Sequence, residues 1–149
     1  MSRVEQAVSC FKEGALCSQA VFATYAPQLG LDRETAVRIA TGFGAGMARL
    51  GETCGAVTGA FLVIGLKHGN VANWLVEEKE NKKKENTYRL VSELANRFQS
   101  RHGSIRCKEL IGCDLGTPEG RKLADEQNVF RTLCPKFVRD AAEIIEELL

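Results

Sequence analysis

The sequence has no CxxC pair, so neither a zinc ribbon nor a thioredoxin-type motif can be read locally from its six cysteines. It has no excess charge of either sign: 20 basic against 19 acidic side chains leave a net +1, which offers no electrostatic footprint for nucleic acid or an anionic membrane. Its longest apolar run, Ala56 to Leu66, is too short to span a bilayer and is broken by Thr58, Gly59 and Gly65. No membrane insertion is expected. The first residues, MSRVEQAVSCFKEGALC, lack an apolar stretch with a small-residue cleavage site, and we read a cytoplasmic protein. There is no strand-like alternation, internal repeat, linker or low-complexity tract, because the lysine run near residue 83 is short and balanced by glutamate. At 44% hydrophobic and 26% charged, the 149 residues suffice for a single domain, 1–149, with its own core.

What is present is helical periodicity. Ser2 and Glu5 stand in capping-box spacing before Val4, Val8 and Phe11, and Gly14 ends that first helix. A second runs from Cys17 toward Pro27 and Gly30, and Asp32 caps a third. Glycines 42, 44, 46 and 51 then interrupt the period until a helix starts at Cys54, with Thr53 as its expected cap, and runs to about His68. Residues 70 to 101 have high helix propensity. The apolar sets Val71, Trp74, Leu75 and Leu90, Val91, Leu94, Ala95, Phe98 flank a solvated middle from Glu77 to Glu85. Ser104 can cap IRCKELIG, Thr117 with Pro118 starts another helix, and CPKFVRDAAEIIEELL closes the chain. The fold class is all-α: one compact domain of about seven helices around a central apolar helix starting at Cys54. Gly55, Gly59, Ala56 and Ala60 let a neighbour approach that helix closely, while Val57, Phe61, Val63, Ile64 and Leu66 fill the core.

Six cysteines in a reducing compartment are catalytic, metal-binding or buried more often than disulfide-bonded. Cys17, Cys54, Cys107 and Cys134 all fall in or beside a first helical turn. There, unpaired N–H groups and the macrodipole favour a thiolate, which is both nucleophile and metal ligand. Arg49, Arg106 and Lys136 stand nearby in sequence and would push the same way if their charged heads point toward the thiols. From its position, Cys54 is expected to titrate below an ordinary thiol. Cys10 and Cys113 are not at helix starts and read as structural. Other signals fail: GFGAGMARLGET has the glycines of a phosphate loop, but no strand precedes it and Glu52 stands where a lysine would follow Gly51. His68 and His102 precede glycines at helix ends and read as dipole partners. Trp74 and Tyr88 read as core.

Taken together, CSQAV at Cys17, GFGAGMARLGETCGAVTGA with its CGAxxG element at Cys54, CKELIGCDL at Cys107 and LCPKFVRDAAEIIEEL at Cys134 resemble the C_GCAxxG_C_C family of redox-active proteins. The resemblance covers nearly the whole chain. It implies a small all-helical domain and four defining cysteines, mapped to Cys17, Cys54, Cys107 (or its neighbour Cys113) and Cys134. It also implies a gene neighbourhood shared with transporters, and so a transporter-associated role. Two chemistries fit the four thiols. In the first they form dithiol/disulfide couples, with Cys54 attacking and a partner thiol resolving, in exchange with an unknown redox partner. In the second the same four converge as metal ligands on an iron–sulfur cluster or zinc. A third reading is a structural helical binding domain with inert cysteines. A homodimer is compatible with the long charged helix.

Overall fold

The computed structural model describes residues 1–71 and 78–149, so Trp74, Leu75 and Glu77 lie outside the described residues. The protein is all-α, and the described residues contain no strand. Local capping sets the helix starts. Ser2 accepts the Glu5 N–H at 3.1 Å and opens α1 (Arg3–Lys12). Asp32 accepts the Thr35 N–H at 3.0 Å and opens α3 (Arg33–Ala40). Thr117 accepts the Gly120 N–H at 2.9 Å, with Pro118 first in α8 (Pro118–Glu126). Glu5 does not complete a capping box. Its carboxylate pairs instead with Arg139 of α10 (Cys134–Leu148) and ties the two ends of the chain together.

The helix α5 (Gly55–His68) is the centre of the domain, packed against α2 (Cys17–Tyr25), α6 (Glu78–His102) and α10. Val57, Val63 and Ile64 are fully buried, whereas Phe61 is half-buried and Leu66 is exposed. Small residues let α2 lie directly on α5: a Cβ on Gly59 would stand 2.7 Å from the Ser18 carbonyl oxygen. On α6 the buried side chains are Leu90, Leu94 and Phe98, at four-residue spacing. Tyr88 lies about 200° around the helix from Leu90 and is 61% exposed, so the expectation that it belongs to the core is overturned. Arg101 reaches Glu143 at 3.1 Å and Glu147 at 3.0 Å across the α6–α10 seam.

The glycine-rich stretch adopts a conformation its sequence does not announce. In α4 (Gly44–Ala48) and the residue after it, Ala45, Gly46, Met47, Ala48 and Arg49 all have φ between 55° and 71°, making one turn of left-handed helix. Each non-glycine residue there costs roughly 1–2 kcal/mol, so the turn persists only because its surroundings enforce it. Ala48 is exposed and tests this without disturbing packing. We expect Ala48→Val to lose at least about 1 kcal/mol of stability and Ala48→Gly to lose none, as read from urea midpoints.

Candidate functional site

Three backbone hydrogen bonds draw the Cys54 and Cys107 segments together, the longest from the Lys108 N–H to the Gly51 carbonyl at 3.3 Å. The Cys54 N–H donates to the Ile105 carbonyl at 2.7 Å, and the Cys107 N–H donates to the Glu52 carbonyl at 2.6 Å, with Thr53 and Arg106 paired as an isolated antiparallel bridge. The bridge explains two departures from the sequence reading. Thr53 is occupied by it, so Cys54 itself is the N-cap of α5. Arg106 occupies the N-cap position of α7 (Cys107–Ile111) without a side-chain cap, while the Ser104 hydroxyl accepts the Arg106 N–H at 2.9 Å and donates to Glu109. Cys17 is the first residue of α2 and Cys134 the first of α10.

These four cysteines, carried by four different helix starts, line one cavity of about 120 Å³. Its remaining wall is almost wholly apolar and includes Phe11, Leu16, Leu110, Phe130 and Phe137. No lysine, arginine or histidine lines it. Cys113 and Cys10 are not part of the wall. Cys113 is buried with its thiol directed at the Ile111 carbonyl, 3.5 Å away. Cys10 faces Arg33 on another side of α1, 3.6 Å from the guanidinium. Of the two neighbours near residue 110, then, it is Cys107 that meets Cys17, Cys54 and Cys134.

Glycine makes the convergence possible. A Cβ on Gly55 would stand 2.3 Å from the Cys17 sulfur, and one on Gly46 would stand 2.5 Å from the Cys107 Cβ. The left-handed turn also contributes a backbone donor: the N–H groups of Ala45, Ser18, Cys17 and Gly55 approach the Cys17 sulfur. Those of Ala56 and Val57, in the first turn of α5, approach the Cys54 sulfur. Sequence reasoning missed this turn, the bridge and the three phenylalanines of the wall. The clustered glycines 42, 44, 46 and 51 were the available signal for the turn.

The expected low pKa of Cys54 is overturned. Burial pushes its thiol well above the ordinary value and the neighbouring Cys17 adds to the shift, while the helix-start N–H groups oppose it only in part. Burial likewise raises Cys17. Burial and then the Cys17 charge raise Cys107 to about 11 and Cys134 to about 12. No basic residue offsets this at any of the four cysteines. Arg106 is engaged with Glu109 at 3.2 Å and Glu52 at 3.5 Å.

A pH dependence follows from these values. The unfolded chain releases these protons near pH 8.5, whereas the folded, metal-free chain holds those of Cys107 and Cys134 to about 11 and 12. Between those limits the folded state binds more protons. Its stability is therefore fully present below about pH 8.5 and is lost as pH rises through 11 and 12. Urea midpoints against pH should fall over this window, less so in Cys134→Ser. At pH 8, alkylation of Cys107 and Cys134 should run at least about a hundredfold slower than that of a free thiol.

The family model described as "Putative redox-active protein (C_GCAxxG_C_C)" matches residues 15–148. No curated protein and no solved structure matches the chain. No helix among the described residues is long and apolar enough to cross a membrane.

Proposed function

This chain belongs to the C_GCAxxG_C_C family, and from that premise we propose that Cys17, Cys54, Cys107 and Cys134 together hold an iron–sulfur cluster, in an electron-transfer module. One observation carries the reading: four thiols share an apolar-walled chamber with no lysine, arginine or histidine in its wall. Left to themselves they stay protonated at neutral pH, because burial raises all four, and the charges of Cys17 and Cys107 add to the cost of ionising others among them. A protonated thiol is a poor nucleophile, so the chamber is badly arranged for disulfide exchange. Metal ions supply the missing positive charge, and a coordinating thiol is deprotonated outright.

The chain's own groups fit such a centre. The N–H groups around the Cys17 and Cys54 sulfurs would spread the charge of a thiolate, and the apolar wall would lower the polarity around it. Among the described residues no three His, Cys, Asp or Glu side chains are grouped to hold a single ion, which speaks against mononuclear zinc. Such a cluster supplies a one-electron carrier whose potential depends on hydrogen bonds to sulfur and on solvent exposure.

The second reading, a dithiol/disulfide couple, draws on Cys17. Its charge bears on each of the other three thiols, and four backbone N–H groups favour its thiolate. In that reading Cys17 rather than Cys54 attacks a substrate disulfide, and Cys54 displaces the reduced substrate while two electrons leave the pair as a new S–S bond. Iron, sulfide and absorption measured on protein purified without oxygen separate the two. Iron with acid-labile sulfide and visible absorption is the expected result. A colourless, metal-free protein whose thiols vanish in pairs on mild oxidation would replace it with the second reading.

A further inference from the structure

An open groove of about 590 Å³ lies beside the cysteine chamber and shares Phe11, Ala15 and Phe130 with it. Its apolar surface comes from Phe11, Phe130 and Pro135, and its two charged residues are Lys12 and Arg131. No acidic side chain lines it. We propose that this groove binds a small anionic aromatic electron carrier, its ring system against Phe11 and Phe130 and its negative group at Lys12 and Arg131. The proposal rests on the four cysteines being a redox centre, because that centre makes an electron carrier the fitting occupant of a groove built on the same wall.

Three features point to this chemistry. The volume falls within the range of small-molecule sites, roughly 300–1,000 Å³. The chain as a whole carries only +1, so two cations facing one groove with no acid in its lining make a local attraction rather than part of a general positive field. Phe130 is 39% exposed despite lining both spaces, which leaves apolar ring surface for a ligand to cover. By contrast, the opening near the amino terminus mixes Arg3 and Arg33 with Glu13 and has no aromatic wall. Lys12 ends α1 and Arg131 lies in α9 (Val129–Thr132), so the pairing of charges exists only in the folded chain. Ala15, two residues before Cys17, belongs to both walls, and a ligand in the groove sits one side chain away from the chamber.

Anthraquinone-2-sulfonate serves as the anionic probe and 2-(hydroxymethyl)anthraquinone as its neutral counterpart, with binding followed by calorimetry on the full chain, metal-loaded and metal-free. The sulfonate should bind the native protein. The double variant Lys12→Glu with Arg131→Glu should weaken it at least tenfold while changing the neutral probe less than twofold, and Phe130→Ala should weaken both. Both charged positions are exposed, and a thermal melt verifies that the variants remain folded. Absence of sulfonate binding, or equal binding by native protein and double variant, overturns the proposal. Because binding is read without electron flow, a protein that binds the probe yet has neither cluster nor thiol couple would refute the redox reading and, with it, an electron carrier as the occupant, leaving only a groove that binds anionic aromatic molecules.

Discussion

Serine at any one of Cys17, Cys54, Cys107 or Cys134 is expected to lower bound iron and sulfide at least about tenfold in anaerobically purified protein, whereas serine at Cys10 or Cys113 leaves both unchanged. The contrast follows from place, since all six are cysteines but only the first four line the chamber. A serine hydroxyl does not ionise at neutral pH and cannot replace the thiolate charge that a metal centre needs. Stability should fall far less than metal content. The swap nearly conserves volume, and its cost is that of a buried hydroxyl short of a partner, about 1–3 kcal/mol. Cys113 is as buried as the chamber residues, so its serine variant controls for burial alone. Loss of metal in Cys113→Ser together with retention in Cys107→Ser would reverse the assignment of the third ligand. If all four replacements left stability, metal and thiol chemistry as they were, the cysteines would be inert and the domain structural.

Gly55→Ala should damage the site out of proportion to its effect on the fold. The added methyl would stand 2.3 Å from the Cys17 sulfur and 3.0 Å from the Phe43 carbonyl oxygen, so either the thiol leaves the chamber or α5 moves off its neighbours. Overpacking of this kind costs about 1–3 kcal/mol. Gly59→Ala provides the comparison. Its methyl would meet the Ser18 backbone, at 2.7 Å and 3.2 Å, and force α2 off α5; it should cost similar stability with less loss of metal per kcal/mol. Gly65 has nothing within 4 Å of its added Cβ. Gly65→Ala should therefore raise stability by about 0.5–1 kcal/mol through helix propensity alone. Chemical denaturation and iron content, measured on the three variants together, decide the matter. Equal losses of metal in Gly55→Ala and Gly59→Ala would mean that Gly55 is only a packing residue.

Much of the fold was legible because the signals involved are local. Ser2, Asp32 and Thr117 each act on an N–H three residues away, a reach that a linear reading can follow. The four-residue spacing of Leu90, Leu94 and Phe98 gave the buried face of α6. Tyr88 was misread because apolar neighbours at helical spacing do not reveal on which side of the helix a residue lies. The left-handed turn at 45–49 and the bridge between Thr53 and Arg106 were not legible. One holds alanines, a methionine and an arginine in a conformation that they rarely adopt, and the other joins segments more than fifty residues apart.

The sequence by itself determined that the chain is helical, that its central helix begins at Cys54, and that four cysteines stand at helix starts. The tertiary structure alone decided that these four line one chamber and that their surroundings raise their pKa values. The reason lies in the relative size of two effects. A helix start favours an anion by about 0.3–1 kcal/mol, less than the 1.36 kcal/mol of one pKa unit, whereas burial can shift a group by several units. The first effect can be read from position along the chain. The second depends on every residue that encloses the thiols, Phe11 and Phe137 among them, and so on packing that brings together opposite ends of the sequence.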